Sequence, residues 1–142
     1  MTPTGTVRTE LIVGVNCDLV FGPAVLFGGG GTSVELHRDT AVALPPLNAQ
    51  LARELISRTQ AGKLLAGLRG QRPANEAAVI DAIAKVSQLA CDLPDIAELD
   101  INPLLADAEG VIALDARVRI RKAGEADKAP GLALRPYPAE LE

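Results

Sequence analysis

The chain has 142 residues and a formal charge of −4, from 14 Lys+Arg against 18 Asp+Glu. At this size about two thirds of the extended surface can be buried, which suffices for one core and not for two sizeable domains. With 2% aromatic residues, no Trp and an acidic balance, neither a base-stacking platform nor a phosphate-wrapping surface is expected, and so no nucleic-acid partner.

Hydrophobic residues make up 48% of the chain. The core must therefore be aliphatic, with Phe21 and Phe27 as its largest anchors. The uncharged stretch from Leu19 to Val34 contains Pro23 and five glycines and falls short of a membrane span. No basic-then-apolar leader opens the chain. Cys17 and Cys91 lack CxxC spacing and read as free thiols of a cytoplasmic protein.

In chain order, Glu10–Val15 is a short apolar run of β-formers, and Ala24–Phe27 is a second, entered through Gly22-Pro23 and ended by Gly28-Gly29-Gly30-Gly31. Ser33–His37 alternates as a one-face strand does, and Thr40–Leu44 is a further short strand. Together they suggest an antiparallel meander or part of a mixed sheet. After Pro45-Pro46 the period changes. Asn48 can cap a helix running through Arg58, with Leu51, Leu55 and Ile56 on one side. Gly62, Gly67 and Gly70 punctuate the next stretch. Asn75 caps a second helix that carries the stripe Val79, Ile83, Val86, Ala90, widened by Ile80 and Leu89 and limited by Pro94 to about Asp92. Ile96–Ile101 is strand-like, Pro103 breaks it, and Leu104–Ala106 can resume it. Asp107–Gly110 reads as a turn, and the stretch to Ile120 alternates Leu114, Ala116, Val118 and Ile120 against Asp115, Arg117 and Arg119. Residues 122–142 show no periodic apolar face and read as a linker or tail.

Two places can carry chemistry. The glycine run Gly28–Gly31 allows either close backbone approach to a phosphate or a merely flexible hairpin; it opens no helix and lacks the Lys-Ser/Thr of a P-loop. The second is Glu98, Asp100 and Asn102, one face of a strand by period-two alternation, with Asp115 returning beside Asn102 if the turn at Asp107–Gly110 sets the register. A carboxylate and an amide oxygen suit Mg²⁺ better than Zn²⁺, and a solvated acidic edge is the competing reading. His37, the only histidine, cannot build a zinc cluster and reads as an exposed strand residue. Arg69, between glycines, suits an anion or simply the surface.

Taken together, Glu10–Val15, Phe21-Gly-Pro23, Gly28–Gly31 with Val34-Glu35 and Asp39, Leu64–Gly70, Glu98–Leu104 and Ala113–Arg117 resemble the C-terminal part of the ATP-grasp domain in NDP-forming acyl-CoA synthetases. This group includes ADP-forming acetyl-CoA synthetase and the succinyl-CoA synthetase β-subunit. The resemblance spans residues 6–121. It implies an α+β fold, the C-terminal lobe of an ATP-grasp domain, with a mixed or mainly antiparallel sheet packed on one face by helices, residues 122–142 being linker or tail. It also implies Mg²⁺ bound with ATP or ADP, the metal on Asn102 and Asp115, with Gly28, Gly29, Gly30, Gly31, Glu35 and Arg69 lining the nucleotide-phosphate cleft. The family's phosphorylated histidine lies on another domain, so His37 is not its equivalent. Three positions depart from the pattern: Cys17 replaces a basic residue, Leu19 a proline, and Gly29 a larger apolar residue. A lost positive charge weakens phosphate stabilisation.

The implied partners are the N-terminal ATP-grasp lobe and the CoA-binding domains, without which the lobe is expected to be inactive; CoA would bind those other domains, and a homodimer would cover an otherwise bare face. The segment Leu132–Glu142 resembles the joint to a GNAT acetyltransferase domain. The alternative function is accordingly a non-catalytic regulatory or interaction lobe of a protein lysine acetyltransferase.

Overall fold

The computed structural model describes residues 8–18, 22–30, 39–67 and 72–121. Among them run β1 (Thr9–Asp18), β2 (Gly22–Gly29), β3 (Thr40–Ala43), α1 (Ala49–Ser57), α2 (Gln60–Leu64), α3 (Glu76–Asp92), β4 (Ile96–Asp107), β5 (Gly110–Ala113) and β6 (Ala116–Ile120). The fold is α+β, as expected. All strand pairs are antiparallel, in the order β3-β2-β1-β4-β5, with β6 continuing beside β4.

Leu11, Val13 and Val15 of β1, Val25 and Phe27 of β2, and Ala97, Leu99, Leu104 and Ala106 of β4 are buried on the side that the helices cover. From the helices come Ala52, Leu55 and Ile56 of α1, Ala61 of α2, and Val79, Ile80, Ile83, Val86 and Ala90 of α3. Phe27 is fully buried; Phe21, the other proposed anchor, lies outside the described residues, as do the strand expected at Ser33–His37 and the tail 122–142. Asn48 and Asn75 cap α1 and α3 as the sequence predicts, accepting from the backbone of Leu51 and Ala78. No described helix is long and apolar enough to cross a membrane.

Several expectations need correction. Leu51 and Leu89 are 41% and 42% exposed; helical periodicity marks a face, and these two residues lie outside its buried part. Gly28 and Gly29 are not loop residues, for β2 runs through them. The stretch around Gly62 contains α2, whose first backbone N–H groups, at Gln60 and Ala61, both donate to the carboxylate of Asp39 at 2.7 Å. Pro103 does not break β4. It sits where the β1–β4 ladder shifts register, a position that tolerates a residue without an N–H, and its carbonyl accepts from Leu114 N–H at 3.0 Å. Finally, Val118 and Ile120 stay more than half exposed, because β6 lies at the sheet edge, beyond the helix cover.

Candidate functional site

The side of the sheet away from the helices carries the polar residues. On β4 the ladder with β1 slips between Leu11↔Leu104 and Val13↔Ile101, so β4 holds one residue more than β1 there. This is a β-bulge at Asn102-Pro103, whose peptide bond is cis. Burial switches across it from Ala97 and Leu99 to Leu104 and Ala106, so the extra residue lets both halves of β4 keep their apolar side chains on the core. Bulges commonly re-aim a side chain beside a site. Asn102, half-buried, is the residue so placed.

The position of Asp115 follows from the turn. The Asp107 carboxylate accepts from Glu109 N–H at 2.8 Å and Gly110 N–H at 3.1 Å, and Gly110 adopts φ +152°, which favours glycine. With Asp107 thereby paired to Gly110, the register runs through Leu104↔Ala113 and resumes at Ile101↔Ala116. Asn102 therefore meets Asp115, and its N–H donates to the Asp115 carbonyl at 3.1 Å. The Asp115 side chain is 54% exposed, with Arg117 Nε 3.6 Å from Oδ2. Further along, Asp100 stands between Gly14 of β1 and Arg117 of β6, and Glu98 pairs with Arg119 at 3.6 Å.

Just beyond β2, Gly30 completes the arrangement. Its N–H donates to the Glu10 carbonyl at 2.8 Å. A Cβ placed on it would lie 3.1 Å from Asn102 Oδ1, as well as 2.6 Å from the Leu11 carbonyl oxygen. A side chain at this position would crowd the Asn102 amide. Gly28 serves a different purpose: a Cβ there would meet Thr40 Cγ2 at 2.7 Å and the Asp39 carbonyl oxygen, so its smallness lets β3 close on β2.

Of the expected site residues, the structure thus brings Gly30, Asn102 and Asp115 together and sets Gly28 and Gly29 apart, in β2. Gly31, Glu35 and Arg69 lie outside the described residues. Arg117, flanked by two carboxylates, is the site neighbour that the sequence reading did not single out; its signal was the alternation that puts it on the face of Asp115. The donors are hard oxygens, one amide and one carboxylate, and a Cβ on Gly30 would crowd the amide oxygen. That combination fits a Mg²⁺ ion whose remaining ligands are phosphate and water oxygens. It does not fit a closed structural zinc site, and no group of three His, Cys, Asp or Glu side chains suited to a metal occurs among the described residues.

Comparison with known proteins places the chain in a family. The ATP-grasp domain family matches residues 1–120. The β-subunit of ADP-forming acetate–CoA ligase I from Pyrococcus furiosus is 45% identical over 118 residues, 83% of this chain and 50% of that protein. ADP-forming acetate–CoA ligase I of Archaeoglobus fulgidus is 38% identical over 77% of this chain and 16% of that protein. The chain therefore spans half the length of the first relative and about a sixth of the second. Among solved structures, dinucleotide-forming acetyl-coenzyme A synthetase 1 of Ca. Korarchaeum cryptofilum, in complex with coenzyme A and Mg-AMPPCP, superposes with a TM-score of 0.75 at 40% identity, covering 85% of this chain and 55% of that one. By descent as well as by shape, the chain belongs to the ATP-grasp domain family, in the branch of the NDP-forming acyl-CoA synthetases.

Proposed function

We propose that this chain is the metal- and phosphate-binding lobe of an NDP-forming acyl-CoA synthetase-type protein. The observation that carries the reading is that Asn102 is bonded through its backbone to Asp115 while its amide oxygen lies beside Gly30, where a Cβ would come within 3.1 Å of it. Asn102 Oδ1 and the Asp115 carboxylate would hold Mg²⁺ with ATP or ADP, and Gly30 would let a phosphate approach. When bound, the metal offsets phosphate charge and aligns the terminal phosphoryl group. The chain's own contribution would be to present one oxygen from β4 and one from the two-residue link between β5 and β6, with the two backbones joined by the Asn102–Asp115 hydrogen bond. Gly28 would serve only the packing of β3 on β2, Gly29 would act through the backbone path of β2, and Gly31, Glu35 and Arg69 would complete the proposed phosphate lining.

The chain covers only part of its relatives. We therefore assign the adenine-contacting N-terminal ATP-grasp lobe and the CoA-binding domains to partners of this lobe, with catalysis requiring them. The GNAT connection rests on residues 132–142, outside the described part, and a non-catalytic lobe of a lysine acetyltransferase remains the rival.

Calorimetric titration of the chain with Mg-ATP tests the reading. Saturable binding, weakened at least tenfold in Asp115→Ala, is the expected result. Equal binding by Asp115→Ala and the parent would overturn the site, and no binding at all would favour the non-catalytic lobe.

A further inference from the structure

The open face beside Asn102 carries three carboxylates, Glu98, Asp100 and Asp115, and two guanidinium groups. Glu98 is served by Arg119, its neighbour across the ladder. Arg117 has two claims on it. Its Nε lies 3.6 Å from Asp115 Oδ2, and in register it stands opposite Asp100. Its side chain is 82% exposed, so packing does little to hold it, and alternation keeps it on the same face as Asp115.

Resting on the metal-phosphate reading above, we propose that Arg117 is the exchangeable counter-ion of the site. Without metal it neutralises the Asp115 carboxylate. When a divalent cation with its nucleoside diphosphate arrives, Arg117 yields that carboxylate and turns its guanidinium to the phosphate oxygens. The exchange follows from charge and distance. A carboxylate oxygen approaches Mg²⁺ to about 2.1 Å, with twice the charge and much less separation than the guanidinium offers at 3.6 Å. The displaced arginine is then a planar five-donor fork beside a polyanion, a geometry that binds phosphate well. Arg117 is thus a positioning residue for Asp115 in one state and a phosphate ligand in the other. Removing it must move the affinities for bare metal and for metal-nucleotide in opposite directions.

The test uses the ¹⁵N-labelled 142-residue chain and its variants Arg117→Gln and Arg117→Lys. Bare Mn²⁺ is followed by paramagnetic broadening of the Gly30 and Asn102 amide signals, and Mg-ADP by shifts of the same signals. Because Arg117 is exposed, both variants should keep the dispersed spectrum of the parent. Arg117→Gln is expected to bind Mn²⁺ alone about two- to fivefold more tightly, the scale of an exposed ion pair, and Mg-ADP weaker by a similar factor. Arg117→Lys should restore most of both differences, and 0.5 M-scale salt should shrink them, since exposed charges are screened over ~3–10 Å. Affinities that move in the same direction, or not at all, overturn the counter-ion role while leaving the site standing. Absence of any perturbation at Gly30 and Asn102 in the parent chain overturns the metal-phosphate reading and the counter-ion with it.

Discussion

Replacing Gly30 by alanine separates the two jobs that a glycine does in this lobe. The new methyl would start 2.6 Å from the Leu11 carbonyl oxygen, 2.7 Å from its carbon and 3.1 Å from Asn102 Oδ1. The first two atoms belong to the central strand β1, paired on both sides, so the incoming residue must shift instead. Overpacking of this kind costs about 1–3 kcal/mol, and the stiffer unfolded chain returns about 0.4–1 kcal/mol. The net loss should be about 1–2 kcal/mol, or roughly 4–8 °C in Tm for a chain of this length. Gly28→Ala is the matched control. Its methyl strikes Thr40 and the Asp39 carbonyl oxygen, so a similar loss of stability is expected, but its nearest contacts all lie on β3 and the residue before it rather than on Asn102. Thermal unfolding by circular dichroism and Mg-ADP titration should then give comparable Tm drops for the two variants, with affinity falling about tenfold only for Gly30→Ala. Equal losses of affinity, or a Gly30→Ala chain that binds as the parent does, would refute the assignment of Gly30 to the site.

Gly62→Ala should reverse the usual helix scale, on which alanine gains about 1 kcal/mol over glycine. Its methyl would fall on the carbonyl oxygen of Ile56, which is fixed as acceptor for Thr59 N–H and Thr59 Oγ1; urea unfolding should show a loss of about 1–2 kcal/mol, and a gain would contradict the packing described. Burial, with the charge of Asp92 adding to it, pushes the Cys91 thiol above its ordinary range. A raised thiol pKa leaves stability unaffected below the unfolded value and removes some of it as pH rises through the folded value. Iodoacetamide at about pH 8.5, near the unperturbed thiol pKa, should therefore alkylate Cys91 more slowly in the native chain than in urea, and an equal or faster native rate would count against the burial.

What the sequence made legible was mostly local. Asn48 and Asn75 announced their helices because an Asx side chain caps the first turn within three residues. The Asn102–Asp115 juxtaposition was readable for a related reason: the turn residues Asp107 and Gly110 set the register, and the ladder carried it back to Asn102. What escaped depended on distant parts of the chain. Helix α2 is five residues long and takes two of its backbone hydrogen bonds from Asp39, some twenty residues earlier, which no local pattern encodes. The exposure of Val118 and Ile120 follows from the place of β6 at the sheet edge, and periodicity is silent about that. The glycine run looked like a single device, yet Gly28 and Gly30 face different neighbours, and only the pairing of β2 with β1 and β3 distinguishes them.

The extra residue in β4 also decides where this chain can change length. A deletion of Leu105 would set the buried Leu104 and Ala106 on opposite faces of β4 and turn one of them out of the core. At the bulge the arithmetic is different. Loss of one residue from Asn102-Pro103, matched by one from Leu114-Asp115, would let the β1–β4 ladder run unbroken and leave Leu99, Leu104, Val111 and Val118 with the neighbours they have now. The segments that can be shortened at least cost to folding are the two that carry the proposed oxygen donors. On the proposed site, two matched one-residue deletions would make such a lobe chemically silent while leaving it well folded, ready to be retained as a scaffold for some other purpose.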